Sequence, residues 1–236
     1  MRHHRFKSWI FDLDNTLYPA ECDLFAQIDR AMTSYVSTLL GIARDEALAV
    51  QKRYYLEHGT TLAGLMAQHA ADPDAFLEAV HAIDYSPIAP DPELRAMLLG
   101  LEGQRVIFTN GSRGHAARVV AAMGLEGVFD GVFAIEDAEL APKPMPEAFD
   151  RLCRRFAIEP STAIFFDDLP RNTAAGKALG FTTVLVRSHK DWSREPEGPR
   201  PAGPEDGAGT ADLVCDGLKA GLRMLAHETR KGPEDH

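Results

Sequence analysis

Only three cysteines occur in 236 residues, Cys22, Cys153 and Cys215, and none stands in a Cys-x-x-Cys spacing. That scarcity excludes a disulfide framework and a structural zinc site, and free thiols fit a reducing compartment. Basic residues are outnumbered, 25 Lys and Arg against 35 Asp and Glu, for a net charge of −10, and no basic run of five or more occurs. A phosphate backbone would be repelled, so no nucleic acid polymer is expected as a partner. No uncharged apolar run approaches the ~18 residues of a membrane helix. The basic start runs into Trp9-Ile10-Phe11-Asp12, where acids interrupt any signal-peptide core. The expectation is a cytoplasmic protein with no membrane partner. Internal repeats are absent. Gly176-Lys177 lacks the Ser or Thr and the earlier glycine of a P-loop. The histidines form no His-Glu-x-x-His motif, and no Gly-x-Ser-x-Gly elbow exists. Serine-hydrolase and zinc-hydrolase readings fall away.

What remains is ordinary globular composition, 45% hydrophobic and 25% charged, sufficient for a real core. The length is about one and a half times the ~150 residues of a typical domain, which suggests one core with an appendage. Trp9-Ile10-Phe11 is a short apolar run ended by Asp12, the pattern of a buried parallel strand that delivers a polar residue at its carboxyl end. The pattern recurs over 105–108, ending at Thr109-Asn110-Gly111, and over 162–166, ending at Asp167-Asp168. Helix-like stretches over 112–123, 146–156 and 171–179 separate these strands, and 182–186 reads as a further strand. Such alternation predicts an α/β fold, a Rossmann-like parallel sheet that binds ligand at its carboxyl edge.

Residues 18–90 read differently. They hold helix-like segments over 23–40, 45–58, 61–69 and 72–82 and no convincing strand, followed by the Pro-rich stretch 87–92, a candidate return hinge. The expected organisation is a discontinuous core, 1–17 and 91–228, with a small all-helical cap, 18–90, inserted after the first strand and placed to act as a lid. The Pro, Gly and Glu content of 193–209 predicts a mobile loop, 211–215 an edge strand, 217–225 a helix and 229–236 a frayed tail.

Four short pieces carry chemistry. Asp12-Leu13-Asp14 puts two carboxylates at a strand end, where one can hold a cation while the other works as acid and base, or where the pair simply caps a turn. Thr109 offers a hydroxyl to a phosphate oxygen beside a helix N-terminus, or serves as an N-cap. Lys143, rigidified by Pro142 and Pro144, suits a fixed charge against phosphate, or is an exposed loop lysine. Asp167-Asp168 at a dry sheet edge calls for a compensating cation, and oxygen-only ligands point to Mg²⁺; alternatively the pair favours the positive end of the next helix. Asn172, near the start of that helix, could orient a metal-bound water.

The ordered set Phe11-Asp12-Leu13-Asp14-Asn15-Thr16, Phe108-Thr109-Asn110-Gly111, Pro142-Lys143-Pro144 and Phe165-Phe166-Asp167-Asp168 resembles the haloacid dehalogenase superfamily of aspartate-nucleophile phosphohydrolases. Leu17-Tyr18-Pro19, Tyr54-Tyr55 and His58-Gly59-Thr60-Thr61-Leu62 look like its pyrimidine 5′-nucleotidase branch. The resemblance implies that Asp12 attacks phosphorus to form an aspartyl-phosphate. It implies that Asp14 protonates the leaving alkoxide and then activates water, while Thr109, Asn110 and Lys143 hold the phosphoryl group. Mg²⁺ would be held by Asp12, Asp14 through its carbonyl, and the Asp167-Asp168 pair, chiefly Asp168. A dehalogenase expels a halide that needs no proton, so Asp14 favours phosphate esters.

The implied activity is a Mg²⁺-dependent phosphomonoesterase acting on a small-molecule phosphate ester such as UMP or CMP. Alternatives are a phosphatase or mutase of the same fold acting on sugar phosphates or phosphoglycolate, and a phosphate-ligand binding module without turnover. Tyr18, Tyr54, Tyr55, His58 and Thr60 are specificity candidates that read equally well as helix packing. Arg113 and His115 could reach a substrate or belong to a solvated helix face. A monomer or a homodimer is compatible with the sequence.

Overall fold

The computed structural model describes residues 6–192 and 200–228. From β1 (Ser8–Phe11) the chain enters four helices, α1 (Leu24–Leu40), α2 (Arg44–His58), α3 (Thr61–His69) and α4 (Pro73–Val80), and returns through α5 (Pro92–Leu99) to β2 (Gln104–Phe108). It then alternates through α6 (Arg113–Ala122), β3 (Gly131–Phe133), α7 (Pro146–Phe156), β4 (Ala163–Asp167), α8 (Pro170–Ala178) and β5 (Thr182–Arg187), and ends in β6 (Leu213–Asp216) and α9 (Leu218–Glu228).

All strand pairs are parallel, in the order β3-β2-β1-β4-β5-β6. Strand β1 is buried at every position, as a strand covered on both faces must be. Its residues alternate between the two cores. Trp9 and Phe11 join Ile107, Phe166 and Val184 on the face covered by α5, α6 and α9. Ile10 joins Val106, Phe108 and Phe165 on the face covered by α7. In register, Phe11 stands between Ile107 and Phe166, so the residues that follow these three positions leave the sheet side by side. The chain moves outward from β1 to β2 and β3, then crosses to β4 on the other flank. That reversal opens a crevice at the carboxyl ends of β1, β2 and β4.

Helices α1 to α4 bury an apolar cluster of their own, including Ile28, Val36, Leu65 and Phe76, joined by Ile135 from the sheet side. Helix α2 packs on α1 and α3, and α4 on α1. At Gly64 an added Cβ would stand 2.4 Å from the Tyr54 Cβ, so only glycine lets α3 lie directly on α2. Thr60 caps α3, accepting from the Ala63 amide at 3.1 Å.

Two elements depart from the sequence reading. The Pro-rich stretch is not hinge throughout: Pro92 opens α5, with Asp91 accepting from the Leu94 amide at 2.8 Å. The proline fits because the first turn of a helix needs no amide there. Strand β3 was not expected, because three residues starting with glycine carry no usable period. Residues 193–199 of the expected loop, and the expected tail 229–236, lie outside the described residues. The described part of that loop is tied to the core: Ala202 is buried, its amide donates to the Asp168 carbonyl at 2.8 Å, and Arg200 pairs with Asp206. Among the described residues no helix is long and apolar enough to cross a membrane.

Candidate active site

Each strand end contributes one group to the crevice. Asp12 follows β1, its amide donating to the Phe166 carbonyl at 2.9 Å. Thr109 follows β2, its amide donating to the Phe133 carbonyl at 3.0 Å. Asp167 ends β4, and Asp168 follows it. Asp12, Asp14, Thr109, Asn110, Lys143, Asp168 and Asn172 all line one cavity of about 420 Å³ between the sheet edge and helices α1 to α4. Asp167 lies behind it.

Lys143 organises the floor. Its side chain is 1% exposed, and its Nζ donates to Asp12 Oδ1 at 2.7 Å, Asp167 Oδ2 at 2.7 Å and the Phe108 carbonyl at 2.8 Å. These three bonds use every proton of the ammonium. Burial opposes its charge, but the two carboxylates outweigh burial and hold its pKa above the ordinary lysine value. The backbone of Lys143 is stapled in turn by Asn110, which accepts from the Lys143 amide at 2.8 Å and donates to its carbonyl at 3.0 Å. The Asn110 amide, expected to bind substrate, thus also places Lys143, because a loop with a buried polar backbone needs partners, and it lines the cavity.

One lysine faces three acids. Asp12, Asp167 and Asp168 each offer a buried oxygen within 4.8 Å of the others. Burial, partly offset by Lys143 and reinforced by Asp167 and Asp14, pushes Asp12 up from 3.8 to about 7. Burial and the charges of Asp12 and Asp167 push Asp168 well above the usual carboxylate range. An excess of buried carboxylate over lysine, with oxygen donors alone, fits a hard divalent cation. The two neighbours differ in availability. Asp167 Oδ1 accepts from the Leu169 amide and Asn172 Nδ2, and its Oδ2 from Lys143 and Asn172. Asp168, by contrast, lines the cavity with Asn15 as its hydrogen-bonding neighbour. Asn172 therefore steadies Asp167, and its own Oδ1 is buried without a partner.

Asp14 is held apart from this cluster. Its Oδ1 accepts from Tyr18 Oη at 2.5 Å and His115 Nε2 at 2.7 Å. Burial pushes its pKa up, but His115 and Tyr18 outweigh burial and leave it below the ordinary value. Thr109 Oγ1 accepts from the Gly111 amide at 2.9 Å, which leaves its proton to donate. At Gly111 an added Cβ would stand 3.0 Å from the His115 ring, a crowded contact that the ring would have to yield to.

The specificity candidates divide. Tyr55 and Thr60 line the cavity; Tyr18 is bound to Asp14; Tyr54 bonds to His69 at 2.7 Å, with His58 against its ring. Arg113 pairs with Asp137 at the surface. The sequence reading passed over Arg171, in the first turn of α8, whose guanidinium lies 4.4 Å from the Tyr55 ring centroid and donates to the Gly59 carbonyl. Its position three residues after Asp168 was the available signal.

The haloacid dehalogenase-like hydrolase family matches this chain over residues 6–180. The chain belongs to this family of hydrolases. The matched span holds every strand-end residue of the cavity floor. Phosphate metabolism protein 8 of Saccharomyces cerevisiae is 26% identical over 197 residues, covering 76% of this chain and 61% of that protein. The chain thus spans under two thirds of that relative's length. Validoxylamine A 7′-phosphate phosphatase of Streptomyces hygroscopicus subsp. limoneus is 27% identical over 194 residues, covering 78% of this chain and 87% of the relative. A HAD phosphatase from Thermococcus onnurineus shares the fold, with a TM-score of 0.59 at 22% identity over 93% of this chain and 98% of that one. L-2-haloacid dehalogenase from Xanthobacter autotrophicus does so with a TM-score of 0.58 at 18% identity, covering 94% and 98%.

Proposed function

We propose that this hydrolase is a phosphomonoesterase working through an aspartyl-phosphate on Asp12. The observation that carries the reading is the floor of the cavity: Asp12 beside a fully bonded Lys143, with Thr109, Asp168 and Asp14 opening into the same space. Asp12 attacks phosphorus while Asp14, which takes up a proton against the pull of His115 and Tyr18 when the phosphate dianion lies beside it, delivers that proton to the departing oxygen, so the alcohol leaves neutral and Asp12 is phosphorylated. Water then gives its proton to Asp14 and attacks phosphorus; the bond to Asp12 breaks, and phosphate leaves. Thr109 steadies the transferring oxygens with its free hydroxyl proton, and Lys143, whose three protons are taken, holds Asp12 in place and lends its charge to the floor. Asp12, Asp168 and the Asp14 carbonyl would hold Mg²⁺, with Asp167 bracing Lys143 behind them. The ion supplies the positive charge that lets a carboxylate approach a phosphate dianion.

Asp14 favours this reading over dehalogenation, since a halide needs no proton. Relatives named as phosphatases, of validoxylamine A 7′-phosphate and of glyceraldehyde 3-phosphate, support it as well. For the leaving group we propose a nucleoside, a pyrimidine 5′-monophosphate such as UMP or CMP. A cavity of about 420 Å³, walled by Tyr55 and Leu62, has room well beyond a two- or three-carbon acid. The test is phosphate release from UMP, CMP, AMP, sugar phosphates and phosphoglycolate, with and without Mg²⁺. Release should need Mg²⁺ and vanish in Asp12→Asn, with UMP and CMP foremost. Full activity of Asp12→Asn would refute the covalent route, and indifference to the base would refute the nucleotide assignment.

A further inference from the structure

The two oxygens of Asp14 are treated differently. Oδ1 takes both donors, Tyr18 Oη and His115 Nε2. Oδ2 takes no hydrogen bond among the described residues and stands 3.6 Å from where a Cβ on Gly111 would lie, and Asp14 and Gly111 both line the cavity. His115 is completely buried, and its ring cannot turn freely. Nδ1 bonds to Tyr85 Oη at 2.9 Å, and the His81 ring stacks on it with centroids 4.5 Å apart and planes 13° apart. Its amide is fixed as well, donating to Ser112, the N-cap of α6. His81 directly follows α4, and Tyr85 lies in the return segment before α5. The imidazole that grips Asp14 is therefore aimed from the helical insertion.

A carboxylate on a free χ2 presents either oxygen and spends part of its time turned away from the leaving group. Two donors converging on one oxygen remove that freedom and leave the other lone pairs to the substrate. We infer that His115, with Tyr18, is the positioning residue that fixes Asp14 with Oδ2 toward the substrate's leaving oxygen, and that the helical insertion holds His115 through Tyr85 and His81. The inference rests on the phosphomonoesterase reading. The step concerned is the first: the P–O ester bond breaks, its electron pair goes to the leaving oxygen, and that oxygen takes the proton from Asp14 Oδ2.

A misaimed acid harms poor leaving groups and spares good ones, and a merely structural lesion does not sort substrates in this way. The experiment compares kcat/KM for p-nitrophenyl phosphate, whose phenolate leaves unaided, with an alkyl phosphate, in wild type, His115→Leu, His115→Gln, Tyr18→Phe and Asp14→Asn. His115→Leu should lose about 10- to 100-fold on the alkyl ester and under about threefold on the aryl ester. His115→Gln, which can place an amide donor near the Nε2 position, should recover most of the loss. Tyr18→Phe should show the same selectivity, and Asp14→Asn should show it most strongly. Equal losses on both esters, no loss, or a His115→Gln variant no better than His115→Leu would overturn the inference. Should His115→Leu fail to fold, Tyr18→Phe, which removes one oxygen, decides alone, and an unselective result overturns the clamp on Oδ1. A wild type inactive on both esters overturns the phosphomonoesterase reading along with it. Active wild type with fully active Asp12→Asn overturns the covalent route alone.

Discussion

His81 offers a test of the electrostatics that does not depend on catalysis. It is 4% exposed, stacked on His115, bonded through Nδ1 to the Leu77 carbonyl at 2.8 Å and near Ser112 Oγ at 3.0 Å. Burial first, and the charge of His115 second, depress its pKa from 6.5 to about 4, against the opposing pull of Asp14 and the Leu77 carbonyl, with Arg118 lowering it further. The folded chain therefore holds fewer protons at this site than the unfolded chain between those two values, and stability rises with pH across that window. The contribution is fully present above 6.5 and is lost as pH falls through about 4. The displacement corresponds to about 3 kcal/mol at ~1.4 kcal/mol per pH unit. His81→Phe keeps the aromatic stack and removes the titrating nitrogen, and comparing it with wild type cancels the groups that do not interact with His81. The gap in unfolding free energy between the two proteins should shift by about 3 kcal/mol between pH 7 and pH 4, in favour of His81→Phe at low pH. For a chain of this size the gap in Tm should move by roughly 6–12 °C. Thermal unfolding followed by circular dichroism at a series of pH values measures it. Parallel curves of Tm against pH for the two proteins would rule out a depressed His81.

Two further outcomes test the packing and the cavity floor. Lys143→Met leaves Asp12 and Asp167 without their shared cation, and loss of one partner of a buried pair costs about 3–5 kcal/mol; chemical denaturation should register this, and phosphate release should fall to background. Gly64→Ala forces a methyl to within 2.4 Å of the Tyr54 Cβ, an overpacking that should cost about 1–3 kcal/mol; a Tm equal to wild type would show that α2 and α3 separate easily.

Much of the site was legible because its residues end apolar strands, a pattern local in sequence. Trp9-Ile10-Phe11 before Asp12 and the run before Asp167 announce buried parallel strands, and pairing in register brings their ends together. The helices of the insertion were legible within a few residues for a similar reason, since caps and glycine stops such as Thr60 and Gly59 act on neighbouring backbone. Strand β3 and helix α5 were not, since a three-residue strand has no period and Pro92 reads as a breaker until its place in the first turn is known.

Local pattern along the chain was enough to bring the right chemical groups to the sheet edge: two acids after β1, a hydroxyl after β2, two acids at the end of β4, and a lysine between prolines. Which partners each group meets there came from packing alone. The Asn110 amide turned to the Lys143 backbone, 33 positions away, and His115, for which reach to a substrate and a solvated helix face were both open, turned to Asp14, 101 positions away. The reason is physical: periodicity and capping are set by neighbours in the chain, whereas the partner of a buried donor is set by whichever acceptor packing brings within hydrogen-bond reach.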